Sequence, residues 1–369
     1  MKNIVGFILL FLAAEALLSL AQYFIRRGKK RPVLHVVLIV VKALAAIAFA
    51  VLPLAGPVQL RSVQPFMMAA YVALFADTGA DILYSVICAA RKKEQRFAPF
   101  KTLSLVCGVL FLVYGMLNME IVTPQYHEYA SEKLETEHTL VFLADLHVGS
   151  AQPFSVTEKA VESIKAQAPD ALLLGGDITD DYTTKAQMEA TFALFQDIGF
   201  PVYYIYGNHD RQGHAEYARG RQYTEAELEQ TLQENGITVL KDAFAQLAPD
   251  LLLLGREDIS AGEGRADSTT LVNPNRDCYL VVVDHQPAEF QTKNLTLGTD
   301  LQLSGHTHAG QLFPLKWLYA LIGGYVYGDY TAGDAVMNVS AGACGWRVPL
   351  RTDAHCNFEV IKLVPQAES

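Results

Sequence analysis

Val202-Tyr203-Tyr204-Ile205-Tyr206-Gly207-Asn208-His209-Asp210 is the stretch on which the reading of the fold turns. An apolar run this rich in β-branched and aromatic residues reads as a buried strand. Gly207 predicts a sharp turn, and three polar residues then arrive just past the carboxyl end of the strand, where open α/β sheets hold ligands. The same junction recurs at Leu143-Ala144-Asp145-Leu146-His147, Leu174-Gly175-Gly176-Asp177, Val283-Asp284-His285 and Leu303-Ser304-Gly305-His306-Thr307-His308. A single Asp or His at a strand end is an ordinary cap or turn residue. Five such junctions in one chain point to a metal or catalytic centre.

The intervening segments supply the scaffold. Residues 139–144, 171–174 and 202–206 read as strands, and 156–166 and 185–197 as amphipathic helices. This βαβαβ order requires a parallel sheet with right-handed crossovers. A helix over 225–235 follows, then strands at 237–240, 251–254, 279–283, 301–303, 335–339 and 358–363. The expected fold class for this part is α/β.

The polar set at the strand ends is Asp145, His147, Asp177, Asn208, His209, His285, His306 and His308. Carboxylate, imidazole and amide oxygen suit Zn, Mn or Fe, and without Cys or Met among them a Cu(I) or iron–sulfur site is excluded. In Asp145-x-His147 and His306-x-His308 both side chains of each pair project to the same side of a pleat and converge on one centre. The count exceeds what one tetrahedral ion takes, so two ions sharing a bridging carboxylate fit better. None of the five cysteines forms a CxxC pair, which removes zinc-finger and thioredoxin readings. Cys344 and Cys356 read either as a disulfide in an exported domain or as two free buried thiols. His127, His214 and His355 lack the strand-end context and read as surface residues.

Hydrophobic residues make up 51% of the 369, but the excess is concentrated before residue 120. Residues 3–25, 33–54, 66–90 and 103–117 each read as a membrane span, giving an all-α four-helix transmembrane region over 1–120. A polar linker over 121–137 and a domain over 138–369 follow. Basic residues cluster in the loops after the first and third spans, which predicts a multi-pass cell-membrane protein with its catalytic domain outside the cytoplasm. Glu15, His35, Lys42, Asp77 and Asp81 fall inside the spans. Such groups usually pair or line a cavity, so Lys42 with Asp77 and Asp81 reads as an interhelical ion pair or as a headgroup or proton site. A net charge of −10 argues against nucleic acid as a partner.

As a set, Asp145-x-His147, Gly176-Asp177, Gly207-Asn208-His209-Asp210, His285 and Gly305-His306-Thr307-His308 resemble, in order and spacing, the calcineurin-like metallophosphoesterases over about residues 138–363. The continuation Ala309-Gly310-Gln311, with Pro349-Leu350-Arg351 and Phe358-Glu359, resembles the membrane-associated bacterial YkuE-type branch. Ala309 and Ala288 depart from that branch's pattern. The resemblance implies a four-layer α/β/β/α sandwich and two divalent ions. Asp145, His147 and His308 would hold the first, Asp177 would bridge, and Asn208, His285 and His306 would hold the second. It further implies that His209 protonates the leaving group, oriented by Asp210. Arg347 and Arg351 read as a phosphate clamp or as structural arginines. The aromatic segment 312–327, with Trp317, reads as a membrane-facing lip or as a loop helix packed on its own domain. The expected function is a membrane-anchored, metal-dependent hydrolase of a phosphomonoester or phosphodiester, a phospholipid or lipid-linked phosphate among the candidate substrates. The alternative is a transport or sensing protein whose metal fold only binds phosphate.

Overall fold

A computed structural model describes Val33, residues 36–42, 44–45, 64–91, 100–214 and 220–366. The chain divides into two compact units, Met1–Met116 and Leu117–Ser369.

In the first unit, α1 (Gln64–Ala90) carries Asp77 and Asp81 one turn apart, and both carboxylates accept hydrogen bonds from the Nζ of Lys42. All three are buried, Lys42 completely. This is the ion-pair reading of these residues, with one ammonium shared by two acids.

The expected multi-pass topology is corrected here. Among the described residues, one stretch, Ala69–Ala90, is long and apolar enough to cross a bilayer. In α2 (Phe100–Met119) a shorter apolar stretch, Val106–Met119, is found among the described residues. Its last residues, Asn118 and Met119, belong to the second unit, where the Asn118 amide donates to the Arg351 carbonyl (3.0 Å) and Met119 packs with Cys344 and Cys356. The span expected over 3–25 lies outside the described residues, as does most of 33–54. With a single candidate span among the described residues, the loop-charge argument for an extracytoplasmic catalytic domain loses its basis.

The second unit is built on two six-stranded sheets. The first contains β1 (Val122–Ser131), β2 (His138–Leu143), β3 (Ala171–Leu174), β4 (Val202–Tyr204), β5 (Ile237–Val239) and β12 (Cys356–Pro365), in the order β1-β12-β2-β3-β4-β5. The second contains β6 (Ala243–Ala248), β7 (Leu251–Gly255), β8 (Tyr279–Val283), β9 (Leu301–Ser304), β10 (Gly328–Ala332) and β11 (Ala335–Val339), in the order β10-β11-β9-β8-β7-β6. β2 to β5 are mutually parallel, as are β7, β8, β9 and β11.

Strand alternation divides the core into layers. Leu140 and Phe142 of β2, with Leu173, Val281 and Leu303, fill the space between the sheets. Val141 and Leu143 face the other way, onto α3 (Phe154–Lys165), α4 (Lys185–Ala193) and α5 (Glu225–Glu234), through Val161, Ile164, Phe192 and Leu232. On the far side, Leu252, Leu254, Leu280 and Val282 are covered by Leu297 and Leu271 from short 3-10 turns and loops. The result is the α/β/β/α sandwich, with central strands apolar on both faces because both are covered. α4 and α5 each begin with a complete capping box, at Thr184 with Gln187 and Thr224 with Glu227.

The segment expected as a polar linker contains β1 instead. It pairs in parallel with β12 over ten residues, from Val122 opposite Cys356 to Ser131 opposite Pro365. His127 on β1 pairs with Glu359 on β12 at 2.8 Å.

Candidate metal centre

Every candidate ligand lies just beyond the carboxyl end of a strand. β2, β3 and β4 are neighbours in the first sheet and deliver Asp145, His147, Asp177 and Asn208, while β8 and β9 are neighbours in the second and deliver His285, His306 and His308. Two clusters result, Asp145–His147–His308 and Asp177–His285–His306, the ligand atoms of each lying within 4.8 Å of one another. Both draw side chains from both sheets, so the centre exists only when the sandwich closes.

Close backbone approach builds the junctions. A Cβ on Gly207 would sit 2.3 Å from Asp177 Oδ1, and one on Gly305 would sit 2.4 Å from Asp145 Oδ2. Gly207 is absent from the positive-φ positions, so proximity to Asp177, rather than the expected turn, is what demands glycine there. Asp145, His147, Asp177, His306 and His308 all have positive φ, between 42° and 72°. Side chains in that region each cost on the order of 1–3 kcal/mol, a strain that collects at functional sites.

The donor set fits divalent cations on the evidence of its orphaned atoms. His147 Nδ1 donates to Asp180 Oδ2 (2.8 Å), His285 Nδ1 to the Gly175 carbonyl (2.9 Å) and His308 Nδ1 to the Cys344 carbonyl (3.1 Å). Fixing Nδ1 in this way leaves Nε2 as the free lone pair, the usual outer support of a ligating histidine. His147 Nε2, His285 Nε2 and Asn208 Oδ1 are buried without a hydrogen-bond partner. The 3.2 Å approach of His285 Nε2 to Asp177 Oδ2 lacks hydrogen-bond alignment. Buried polar atoms without partners are uncommon and call for a missing counterpart.

Electrostatics agree. Burial would push Asp177 up, but His285 and His209 hold it well below the usual carboxylate range. Burial would lower His147 and His285, yet both are raised, His147 by its bond to Asp180 and His285 by the charge of Asp177. His306, where burial and His285 dominate, is lowered to about 4. Positive charge is thus drawn to the surroundings of Asp177, whereas burial raises Asp145 and lowers His308.

His209 stands beside the clusters. Its backbone N–H donates to Asp177 Oδ1 (2.8 Å), and its ring lies 5.5 Å from that of His147 and 5.3 Å from that of Trp346, centroid to centroid. Its Nδ1 donates to Asp181 Oδ2 at 2.6 Å. Asp210, expected to orient this ring, does otherwise. Its carboxylate accepts the backbone N–H groups of Gly207 (2.7 Å), Asp177 (2.8 Å) and Thr179 (2.9 Å), tying two junctions together. Sequence reasoning missed Asp180, Asp181 and Trp346. The signal for the first two was the doubled acid in Gly176-Asp177-Ile178-Thr179-Asp180-Asp181.

Arg351 is not a phosphate clamp. It is fully buried, and its guanidinium donates to the carbonyls of Ala354 (2.8 Å), Cys344 (2.9 Å), His308 (2.8 Å) and Ala341. Arg347 is partly exposed, 5.9 Å from the Trp346 ring. Trp317 is 63% exposed on α6 (Leu315–Leu321). His214 and His355 are exposed and His127 is half-buried. Cys344 and Cys356 are free, buried thiols.

A metallophosphoesterase of Helicobacter pylori (strain J99) is 29% identical over 247 residues, covering 64% of this chain and 63% of the relative, so this chain spans under two thirds of that protein's length. A "Transmembrane protein with metallophosphoesterase domain" of Danio rerio is 28% identical over 273 residues, covering 68% of this chain and 59% of that protein. Metallophosphoesterase YkuE of Bacillus subtilis is 26% identical over 235 residues, covering 61% and 78%. The family description "Calcineurin-like phosphoesterase" matches residues 138–310, the stretch that contains all seven candidate ligands and His209, and this chain therefore carries a calcineurin-like metallophosphoesterase domain.

Proposed function

We propose that the protein is a membrane-anchored phosphoesterase of the YkuE-type branch that hydrolyses a phosphomonoester or phosphodiester with two divalent cations, Mn, Fe or Zn. The observation that carries the two-cation reading is the position of Asp177 Oδ2, 3.7 Å from His147 Nε2 of one cluster and 3.2 Å from His285 Nε2 of the other. One carboxylate oxygen thus stands between the two groups. Asp145, His147 and His308 would hold one cation, Asn208, His285 and His306 the other, with Asp177 available to both. When bound, such a pair supplies Lewis-acid stabilisation of phosphoryl charge and acidifies water for in-line attack.

The chain's own residues do the rest. Asp180 and the Gly175 and Cys344 carbonyls fix the imidazoles of His147, His285 and His308. Asp181 holds Nδ1–H of His209, so Nε2 faces the reacting group and hands a proton to the leaving oxygen. The branch assignment rests on the Ala309-Gly310-Gln311 continuation and on the likeness to YkuE. Membrane anchoring is supported by Ala69–Ala90, whose Phe75, Leu83 and Val86 are exposed, and by the likeness to the Danio rerio transmembrane protein. A lipid or lipid-linked phosphate is the favoured substrate because a membrane-tethered site meets such esters at high local concentration.

Asp177→Asn and His209→Ala, made separately in the full chain, should each abolish most hydrolysis of a chromogenic phosphoester. Activity that survives both removes the proposal. A screen of lipid extracts against soluble metabolites then decides the substrate class.

A further inference from the structure

α6 buries none of its residues, and around it Phe313, Trp317, Leu318, Tyr319, Leu321 and Ile322 are between 50% and 81% exposed. Apolar patches beyond a few hundred Å² mark interaction sites rather than ordinary surface. Yet this segment is firmly fastened. Gln311 Nε2 donates to the carbonyls of Val348 (2.7 Å) and Leu350 (3.0 Å), its Oε1 accepts the Trp346 N–H (2.9 Å), and its carbonyl accepts the Thr352 N–H (2.9 Å). Phe313 N–H donates to Thr352 Oγ1 (3.0 Å), and Lys316 pairs with Asp353 at 2.6 Å. One largely buried glutamine therefore joins the exposed helix to the loop whose Trp346 lies against His209.

We propose that α6 seats in the headgroup–acyl boundary of a lipid bilayer, and that Gln311 and the 346–353 loop transmit this seating to the rim of the metal centre. Three observations choose a bilayer over a protein partner. The chain itself carries Ala69–Ala90, apolar and long enough to cross a membrane. The patch combines Trp317 and Tyr319 with fully apolar Leu321 and Ile322, the mixture that favours the interface. The one cation on α6, Lys316, is paired with Asp353, which lowers the cost of bringing it out of water. The seating stands independently of the phosphoesterase reading, which says only what the seated site does.

The protein has two tryptophans, which makes the test optical. Trp346→Phe leaves Trp317 as the sole emitter, and Trp317→Phe leaves Trp346. Each full-length variant is placed in nanodiscs of dioleoylphosphatidylcholine or of its brominated analogue, whose bromines quench tryptophan in the acyl region. Trp317 should lose about half of its emission or more in brominated discs, as expected for a side chain seated about 5–10 Å into the boundary. Trp346 should change little, and Leu321→Ser with Ile322→Ser should restore most of the Trp317 emission. Equal Trp317 emission in both lipids overturns the proposal. Emission that instead shifts with protein concentration overturns it in favour of a second copy covering the patch. Hydrolysis of a small soluble ester by the same samples reports separately on the phosphoesterase reading.

Discussion

Two neighbouring carboxylates, Asp181 and Asp210, should fail in opposite ways when each is changed to Asn. Asp181 accepts from His209 Nδ1 at 2.6 Å and from the His214 N–H at 2.8 Å. Asn can keep the second bond through its oxygen, but its NH2 then faces the N–H of His209, donor to donor. The lost bond is charge-assisted, worth about 1.5–3 kcal/mol. If it acts only in holding His209 for proton transfer, kcat should fall roughly 10- to 150-fold. Folding and metal content should be unaffected, and Asp181→Asn added to His209→Ala should cost almost nothing more. Asp210 is fully buried and accepts four bonds, from the N–H groups of Gly207, Asp177 and Thr179 and from Thr179 Oγ1. In Asp210→Asn one oxygen still serves Thr179, but the NH2 confronts the N–H groups of Asp177 and Gly207. Two buried donors left unmet cost about 1–3 kcal/mol each, roughly 2–6 in total. For a unit of this size that lowers Tm by about 5–20 °C. The assays are thermal unfolding, elemental analysis and chromogenic ester turnover on the same preparations. An Asp181→Asn variant within twofold of wild-type kcat, or one whose loss multiplies with that of His209→Ala, refutes the positioning role. An Asp210→Asn protein as stable as wild type refutes the tether.

Active protein should carry two divalent ions per chain by elemental analysis and lose turnover with chelator, and finding one ion or none in active protein would remove the shared-carboxylate reading. Burial would lower the His127 pKa, but the hydrogen bond and charge of Glu359 raise it above the usual value of 6.5. A folded pKa raised above the unfolded one means that the β1–β12 pair stabilises fully below about pH 6.5 and loses its contribution as pH rises through the folded value. The Tm gap between wild type and His127→Gln should therefore be widest near pH 6 and shrink in alkaline buffer, and a gap that does not change with pH would show that the pair's charge adds nothing.

The sequence by itself determined the central strands and the residue types of the metal centre. Both signals are local. Strands buried on both faces are written as unbroken apolar runs such as Ala171–Leu174, and the ligand at the end of each run follows within a few positions. Only the tertiary structure decided the partners, because partnership depends on what the other sheet and the loops bring near. β1 looks like linker since it is a polar edge strand with Pro124, and its hydrogen bonds go to β12, more than 200 residues away. Arg351 and a phosphate-binding arginine read alike until the carbonyls of His308, Cys344 and Ala354 close around it. Gly207 is a turn residue by propensity and a contact residue in fact, because Asp177 arrives from another strand. The same holds for His209, whose adjacent acid, Asp210, serves the backbone while Asp181 holds its ring: side chains next to each other in sequence leave a tight turn in different directions, and only the folded turn fixes which carboxylate meets the imidazole.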